Sequence, residues 1–83
     1  MNFGEALEML KAGCQVARKG WNGKGIFLSL YLPTNDSLIT NEFVFIDTTG
    51  LKTDNPDAPK CIVPWQPSQT DMLAEDWEEV WPY

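Results

Sequence analysis

The chain has 83 residues, a formal net charge of −6 and no histidine. A chain of this length fits a single small domain spanning residues 1–83, and its acidic balance argues against DNA or RNA as a partner, because binding a polyanion requires a basic surface. The chain has two cysteines, Cys14 and Cys61, but no histidine and no Cys-x-x-Cys spacing, so it lacks the ligands for a structural zinc site. We expect both thiols to be reduced in a cytoplasm.

The first predicted element is a helix that begins after Asn2. Asn2 is the expected N-cap, and Glu5 stands three positions later, as in a capping box. Apolar side chains then recur at helical spacing, at Phe3, Ala6, Leu7 and Leu10. Gly13 is expected to end the helix as its C′ residue. So short a helix must pack against another element, most simply a sheet.

A strand over residues 15–19 leads into a glycine-rich segment, residues 18–25, which contains Trp21. Half of the six cationic residues of the chain fall in this segment: Arg18, Lys19 and Lys24. The cations suit phosphate, the glycines let backbone N–H groups approach a ligand, and the indole offers a flat face for a base. The alternative is an ordinary hairpin that turns at the Asn-Gly pair 22–23, with the tryptophan covering a small core.

Three further strands are predicted before residue 64. They cover residues 26–32, 42–47 and 60–63, and Pro64 ends the last of them. The first run is almost continuously apolar, which indicates burial on both faces, one under the helix and one against another subunit. The polar, proline-bearing residues 52–59 are interpreted as an exposed loop, either disordered or able to close over a pocket.

The stretch from Ser68 to Trp77 begins like a capped helical turn. Ser68 and Asp71 have the spacing of a capping pair, and Met72 and Leu73 are expected to face inward. The free N–H groups of such a turn can hold a phosphate or a carbonyl, although ordinary capping explains the same residues. A last strand over residues 77–81 carries a carboxylate on either face, which predicts an edge strand. Four acidic residues are interpreted as a solvated surface: Glu75, Asp76, Glu78 and Glu79.

The residue inventory argues against an enzyme. The chain lacks histidine and contains no Ser-His-Asp set, P-loop or metal-ligand cluster. No apolar run reaches transmembrane length, so no membrane partner is expected, and no cofactor is expected either. Two function classes remain open, namely a pocket for a small phosphorylated ligand and an acidic inhibitor module that docks on a host protein.

Three blocks of the sequence resemble one protein family. They are residues 1–7, residues 17–25 (Ala-Arg-Lys-Gly-Trp-Asn-Gly-Lys-Gly) and residues 68–77 (Ser-Gln-Thr-Asp-Met-Leu-Ala-Glu-Asp-Trp). In this order, over nearly the whole chain, the blocks resemble the second type of the phage Thoeris anti-defence family, whose members are small sponge proteins for cyclic nucleotides.

The resemblance implies a cytoplasmic phage or prophage protein of α+β fold, with an N-terminal helix packed on an antiparallel sheet of about five strands and a short helical turn before the last strand. It also implies a homotetramer with pockets where subunits meet. Members of the family sequester glycocyclic ADP-ribose, a cyclic ADP-ribose isomer made by a bacterial TIR-domain enzyme, and some hold cyclic oligonucleotides. The ligand is not cleaved, and its removal keeps the Thoeris effector inactive.

Candidate ligand contacts within these blocks follow from side-chain chemistry. An indole can stack on a purine, which is worth about 1–3 kcal/mol per base. Cations and backbone N–H groups suit phosphate oxygens, and amide, hydroxyl and carboxylate groups suit ribose hydroxyls or the purine edge. The first candidates are Trp21, Asn22, Thr70 and Asp71, followed by Arg18 and Gln69, with Ser68, Gly23 and Lys24 as further phosphate-side contacts.

Overall fold

The computed structural model describes residues 1–80 of the chain. In chain order its elements are α1 (Phe3–Lys11), β1 (Gln15–Arg18), β2 (Phe27–Tyr31), β3 (Phe43–Asp47), β4 (Ile62–Pro64), α2 (Gln69–Leu73) and β5 (Trp77–Val80). The strands form one sheet in the order β4-β3-β2-β1-β5, and every neighbouring pair is antiparallel. The predicted α+β architecture, with its N-terminal helix, five-stranded sheet and short helix before the last strand, is confirmed.

Local signals determine both ends of α1. The Asn2 side chain accepts a hydrogen bond from the Glu5 N–H at 2.8 Å, and the Glu5 carboxylate accepts one from the Asn2 N–H at 2.9 Å. This reciprocal pair satisfies two of the N–H groups left free at a helix start. Gly13 follows the C-cap with a φ of 91°, a backbone conformation that favours glycine. Both predicted ends of the helix are confirmed.

The core lies between α1 and one face of the sheet. Its fully buried members come from α1 and three strands: Ala6, Leu10, Val16, Leu28 and Trp77. Trp77 is the largest of them and is 2% exposed. Its ring lies 5.5 Å from Phe3, 5.5 Å from Trp21 and 6.1 Å from Trp65, measured between ring centroids. The aromatic residues of the chain thus provide a core that the short α1 could not build alone.

The strand ends differ from the predictions in small ways. β4 includes Pro64, although the prediction ends the strand at residue 63. Proline is tolerated there because β4 is an edge strand, where no partner requires its N–H. The Asn-Gly pair 22–23 does not form a two-residue hairpin turn, since β1 ends at Arg18 and β2 begins at Phe27. The predicted edge position of β5 is confirmed, and Trp81 lies outside the described residues.

The sheet face opposite α1 carries aromatic side chains and remains partly open. Tyr31 and Phe43 stack there with ring centroids 4.7 Å apart. Beside them lies an apolar depression of about 430 Å³, lined by Tyr31, Ile39, Phe43, Phe45, Ile62, Val63 and Pro64. In the single chain, therefore, only one face of β2 is fully covered, and burial of the other face against a second subunit stays a prediction. Neither helix within residues 1–80 has the length and apolar composition needed to cross a membrane.

Candidate functional site

The guanidinium of Arg18 is held between two aspartates from the C-terminal part of the chain. Its Nε donates to Asp76 Oδ1 at 2.8 Å, and its Nη1 donates to Asp71 Oδ1 at 2.9 Å. The side chains are largely shielded, with 20% of Arg18, 14% of Asp71 and 33% of Asp76 exposed. Such charge-assisted hydrogen bonds have a defined geometry, so they tie the glycine-rich segment to α2 and to the residue before β5. We call these three side chains the arginine network.

Trp21 is fixed by the same network. Its Nε1 donates to Asp71 Oδ1 at 3.3 Å, and its ring meets the buried Trp77 edge-on, with ring planes at 79°. The Nε1 of Trp77 in turn donates to the backbone oxygen of Asp71 at 3.0 Å. Two indoles therefore converge on one aspartate, and contacts within the chain itself hold Trp21 in its orientation.

Local structure explains how the aspartates reach Arg18. Ser68 and Asp71 form a capping box at the start of α2, in which the Ser68 N–H donates to Asp71 Oδ2 at 3.1 Å. The second aspartate, Asp76, also accepts from the Gly20 N–H at 2.8 Å. On the sheet, Arg18 lies directly opposite Trp77 in the β1–β5 pair, so both side chains project from the face that packs against α1.

Two predictions for this region are wrong. Met72 and Leu73 do not face inward but are 37% and 79% exposed. In a helix as short as α2 only one side faces the protein, and Asp71 occupies that side because its carboxylate binds Arg18. The acidic residues are not all a solvated surface either, since Asp76 belongs to the arginine network and Glu78 and Glu79 are half-buried.

An open cleft of about 540 Å³ adjoins the arginine network. Its wall is formed by Ala17, Arg18, Trp21, Gly23, Lys24, Gly25, Ile26, Lys52, Glu78, Glu79 and Val80. The volume lies in the range of about 300–1,000 Å³ that is usual for small-molecule sites. The cleft combines a fixed indole, cations from two segments and carboxylates from β5, so it can receive a ligand with a flat ring, an anionic group and hydroxyls.

Backbone packing brings a second segment to the cleft. The Lys52 N–H donates to the Lys24 carbonyl at 2.9 Å, and the two residues form an isolated antiparallel bridge. Gly25, with a φ of 86°, packs directly against the backbone of Gly50, where no side chain would fit. The first residue of the predicted loop 52–59 is therefore part of the cleft wall.

The structure brings the blocks 17–25 and 68–77 together but places their candidate residues in different positions. Four candidates line the cleft: Arg18, Trp21, Gly23 and Lys24. Asp71 stands behind Trp21 in the arginine network, whereas four others are exposed outside the cleft wall: Asn22, Ser68, Gln69 and Thr70. Sequence reasoning missed Lys52, Glu78 and Glu79, since a single lysine in a polar loop and carboxylates on an edge strand carry no local signal. Within residues 1–80 no group of three or more histidine, cysteine and acidic side chains is placed to hold a metal ion.

The arginine network shifts the pKa values of its members. Hydrogen bonds to Asp76 and Asp71 raise the pKa of Arg18 above its ordinary range. Burial acts to raise the pKa of Asp71, but the hydrogen bonds that it accepts from Arg18, Ser68 and Trp21 together lower it. The pKa of Asp76 is lowered chiefly by its hydrogen bond with Arg18. The network is therefore fully charged at neutral pH.

Acid is expected to destabilise the protein through this network. The folded pKa values of Asp71 and Asp76 lie below their unfolded values, so their stabilising effect is complete above about pH 5 and is lost as the pH falls through the folded values. Arg18→Gln removes the main partner and should lower the free energy of unfolding at pH 7 while flattening its decrease in acid. Urea unfolding across a pH series measures both effects.

The control for that series is Lys11→Gln, which breaks an exposed 3.6 Å ion pair with Glu8. Exposed pairs of this kind contribute little, and this variant should reproduce the wild-type pH profile. Identical pH profiles for Arg18→Gln and the wild type would show that the arginine network is not the source of the acid sensitivity.

Comparison with known proteins identifies the family. The Thoeris anti-defense 2-like domain, Tad2-like, matches residues 1–80. The chain is 48% identical over 90 residues to the protein "Thoeris anti-defense 2" of Bacillus phage SP01, and the match covers 96% of this chain and 94% of that protein. A domain match over nearly the whole chain and an identity close to one half leave no ambiguity about ancestry. The chain belongs to the Thoeris anti-defense 2-like family.

Proposed function

We propose that the protein is a phage anti-defence sponge that binds glycocyclic ADP-ribose and holds it away from the Thoeris effector in the cytoplasm of the infected cell. Membership of the Thoeris anti-defense 2-like family supports the anti-defence role. The cleft beside the arginine network is the proposed binding site. A protein of this kind acts by stoichiometry, so it requires a dissociation constant near the nanomolar range, or about 12 kcal/mol of binding free energy.

The observation that carries the proposal is the fixed indole of Trp21. Trp21 lines the cleft, while Trp77 and Asp71 already hold its ring in place. A surface that is ordered before binding loses little conformational entropy when a purine stacks on it, which favours tight binding. Stacking on an aromatic side chain contributes about 1–3 kcal/mol per base, so Trp21 accounts for only part of the required affinity.

The charges of the cleft suit the remaining groups of the ligand. Lys24 can meet a pyrophosphate oxygen, while Glu78 and Glu79 on β5 can accept hydrogen bonds from ribose hydroxyls or a purine amino group. The guanidinium of Arg18 is already bound by two aspartates, so its charge is largely compensated. We therefore assign Arg18 the role of positioning Trp21, in addition to its place in the cleft wall.

The proposal involves binding of the ligand without turnover. The two aspartates of the arginine network, Asp71 and Asp76, are engaged by Arg18 and have lowered pKa values, so neither is suited to donate a proton to a glycosidic bond at neutral pH. We expect bound glycocyclic ADP-ribose to be released unchanged when the protein unfolds.

Assembly into a homotetramer is part of the proposal. The open aromatic face of the sheet supports it, because Ile39 and Ile62, which line its apolar depression, are 45% and 57% exposed in the single chain. Apolar surface of this extent favours association in a protein with so small a core. Cleft residues at subunit borders would then enclose the ligand more completely than one chain does.

Depletion of the ligand from solution tests the proposed function. We expect the wild-type protein to remove glycocyclic ADP-ribose from a filtrate in stoichiometric amounts and to release it intact on heating, as read by mass spectrometry. Trp21→Ala should weaken binding by about 1–3 kcal/mol, because it removes the stacking face. Trp21→Phe retains an aromatic face and should lose less.

Trp65→Phe is the matched control for Trp21→Phe, since it makes the same substitution at a tryptophan outside the cleft wall. The Trp65 ring packs on Trp77 and Phe3. Circular dichroism and light scattering establish that folding and assembly mass are retained in each variant. A cleaved product would indicate an enzyme. Inhibition of Thoeris defence that survives Trp21→Ala and is lost after Glu75→Lys on the exposed acidic surface would indicate the docking module instead.

A further inference from the structure

We propose that Lys52 is a binding residue of the cleft, and that with Lys24 it forms a cation pair that holds the pyrophosphate of the ligand. This inference rests on the proposed function, since it assigns the phosphate end of the same site. Both residues line the cleft that Trp21 also lines. The pair joins two segments that are far apart in sequence, the glycine-rich segment and the start of the polar loop 52–59.

The bridge geometry places like charges side by side. Lys24 and Lys52 lie directly opposite each other in an isolated antiparallel bridge, so their side chains project to the same side. Like charges in this position repel and destabilise the folded state. An anion between the two ammonium groups would replace that repulsion with attraction, so the arrangement favours binding of a phosphate group.

The two ammonium groups are available for such a ligand. In the part of the chain that the structure describes, the ion pairs involve Lys11 and Arg18 but neither lysine of the bridge. The Lys24 ammonium donates to the Lys19 carbonyl at 3.2 Å, a contact that leaves two of its three hydrogens free. The carboxylates of the cleft come from β5, a different part of the wall.

The backbone that carries Lys52 is well supported. The Thr49 N–H and hydroxyl both donate to the Asp47 carboxylate, at 2.9 and 2.6 Å, which closes the turn after β3. Leu51 N–H donates to the Thr48 carbonyl at 3.0 Å, and the Lys52 N–H then reaches Lys24 at 2.9 Å. Only the Lys52 side chain has to become ordered when an anion binds, so the entropic loss is small.

Calorimetry with glycocyclic ADP-ribose at two salt concentrations tests the assignment. Lys52→Gln should raise the dissociation constant about tenfold, equivalent to about 1.4 kcal/mol, and should weaken the salt dependence. Lys52→Arg keeps the charge and should bind much like the wild type. Lys60→Gln removes another exposed lysine that lies outside the cleft wall and should have no effect.

A second readout distinguishes a binding role from a structural one. Without ligand, Lys52→Gln removes a repulsion and should leave the melting temperature unchanged or slightly raised, whereas with ligand the increase in melting temperature should be smaller than that of the wild type. A lower melting temperature without ligand, or unchanged affinity and salt dependence, would overturn the assignment while leaving the sponge function intact.

A wild-type protein that fails to bind glycocyclic ADP-ribose would instead refute the proposed function. Inorganic pyrophosphate then decides the role of the lysine pair. Binding of pyrophosphate by the wild type and its loss in Lys52→Gln would support an anion site, and equal behaviour of the two proteins would overturn it.

Discussion

Alanine at Gly25 is expected to lower the free energy of unfolding by about 3 kcal/mol, which is large for so small a protein. A Cβ at this position would overlap the carbonyl oxygen of Gly50 and lie 3.0 Å from its carbonyl carbon. These are backbone atoms that cannot rotate away, and the φ of 86° adds about 1 kcal/mol of strain for any L side chain. Chemical denaturation at a fixed protein concentration measures the loss.

Gly13→Ala provides a matched control for that substitution. Gly13 has nearly the same φ, 91°, but a Cβ built there meets nothing within 4 Å. It should therefore cost only the conformational strain, about 1 kcal/mol. The difference between the two variants isolates the contact of Gly25 with Gly50, and equal losses would show that this contact does not support the turn. Because the turn carries Lys52, Gly25→Ala should also weaken ligand binding, whereas Gly13→Ala should not.

Trp77→Ala is expected to cost about 4 kcal/mol and thus to unfold much of the protein at 37 °C. Trp77 is 2% exposed and packs against three aromatic rings from α1, the glycine-rich segment and the segment before α2. Its truncation leaves a cavity and also removes the hydrogen bond to the Asp71 carbonyl. Differential scanning calorimetry should show a melting temperature lower by roughly 20 °C, since 1 kcal/mol shifts it by about 4–8 °C in a domain of this size.

Two further variants define the origin of that loss. Leu73→Ala removes a large apolar side chain that is 79% exposed, and it should change stability by less than about 0.5 kcal/mol. Trp77→Phe retains most of the packing but not the Nε1 donor, so it should lie between the wild type and Trp77→Ala. A small effect of Trp77→Ala would mean that the core does not depend on this side chain.

The secondary structure was largely predictable because its signals are local. The capping residues Asn2 and Ser68 and the C′ residue Gly13 each act on neighbours within four positions, and all three were identified from the sequence. Apolar runs likewise located the strands to within one or two residues. The side of α2 that faces the protein was not predictable. Asp71 points inward instead of Leu73, because it forms an ion pair with the distant Arg18.

The candidate site was predictable in composition but not in arrangement. The glycine-rich segment and the Ser68 turn were both identified, and the structure places them together through Trp21, Arg18 and Asp71. The residues that line the cleft were not predictable. Lys52 reaches it through its bridge with Lys24, and the β5 carboxylates reach it through the register of β5 on β1.

The sequence by itself determined where the helices and strands lie, that a glycine-rich cationic segment with an indole is present, and which family the chain resembles. Only the tertiary structure decided that Arg18 binds aspartates 53 and 58 residues away, and that Lys24 meets Lys52. Capping and periodicity act within one turn of chain, so residue order is enough to predict them. Contacts between distant segments depend on sheet register and close backbone packing, and neither is encoded in any single stretch of sequence.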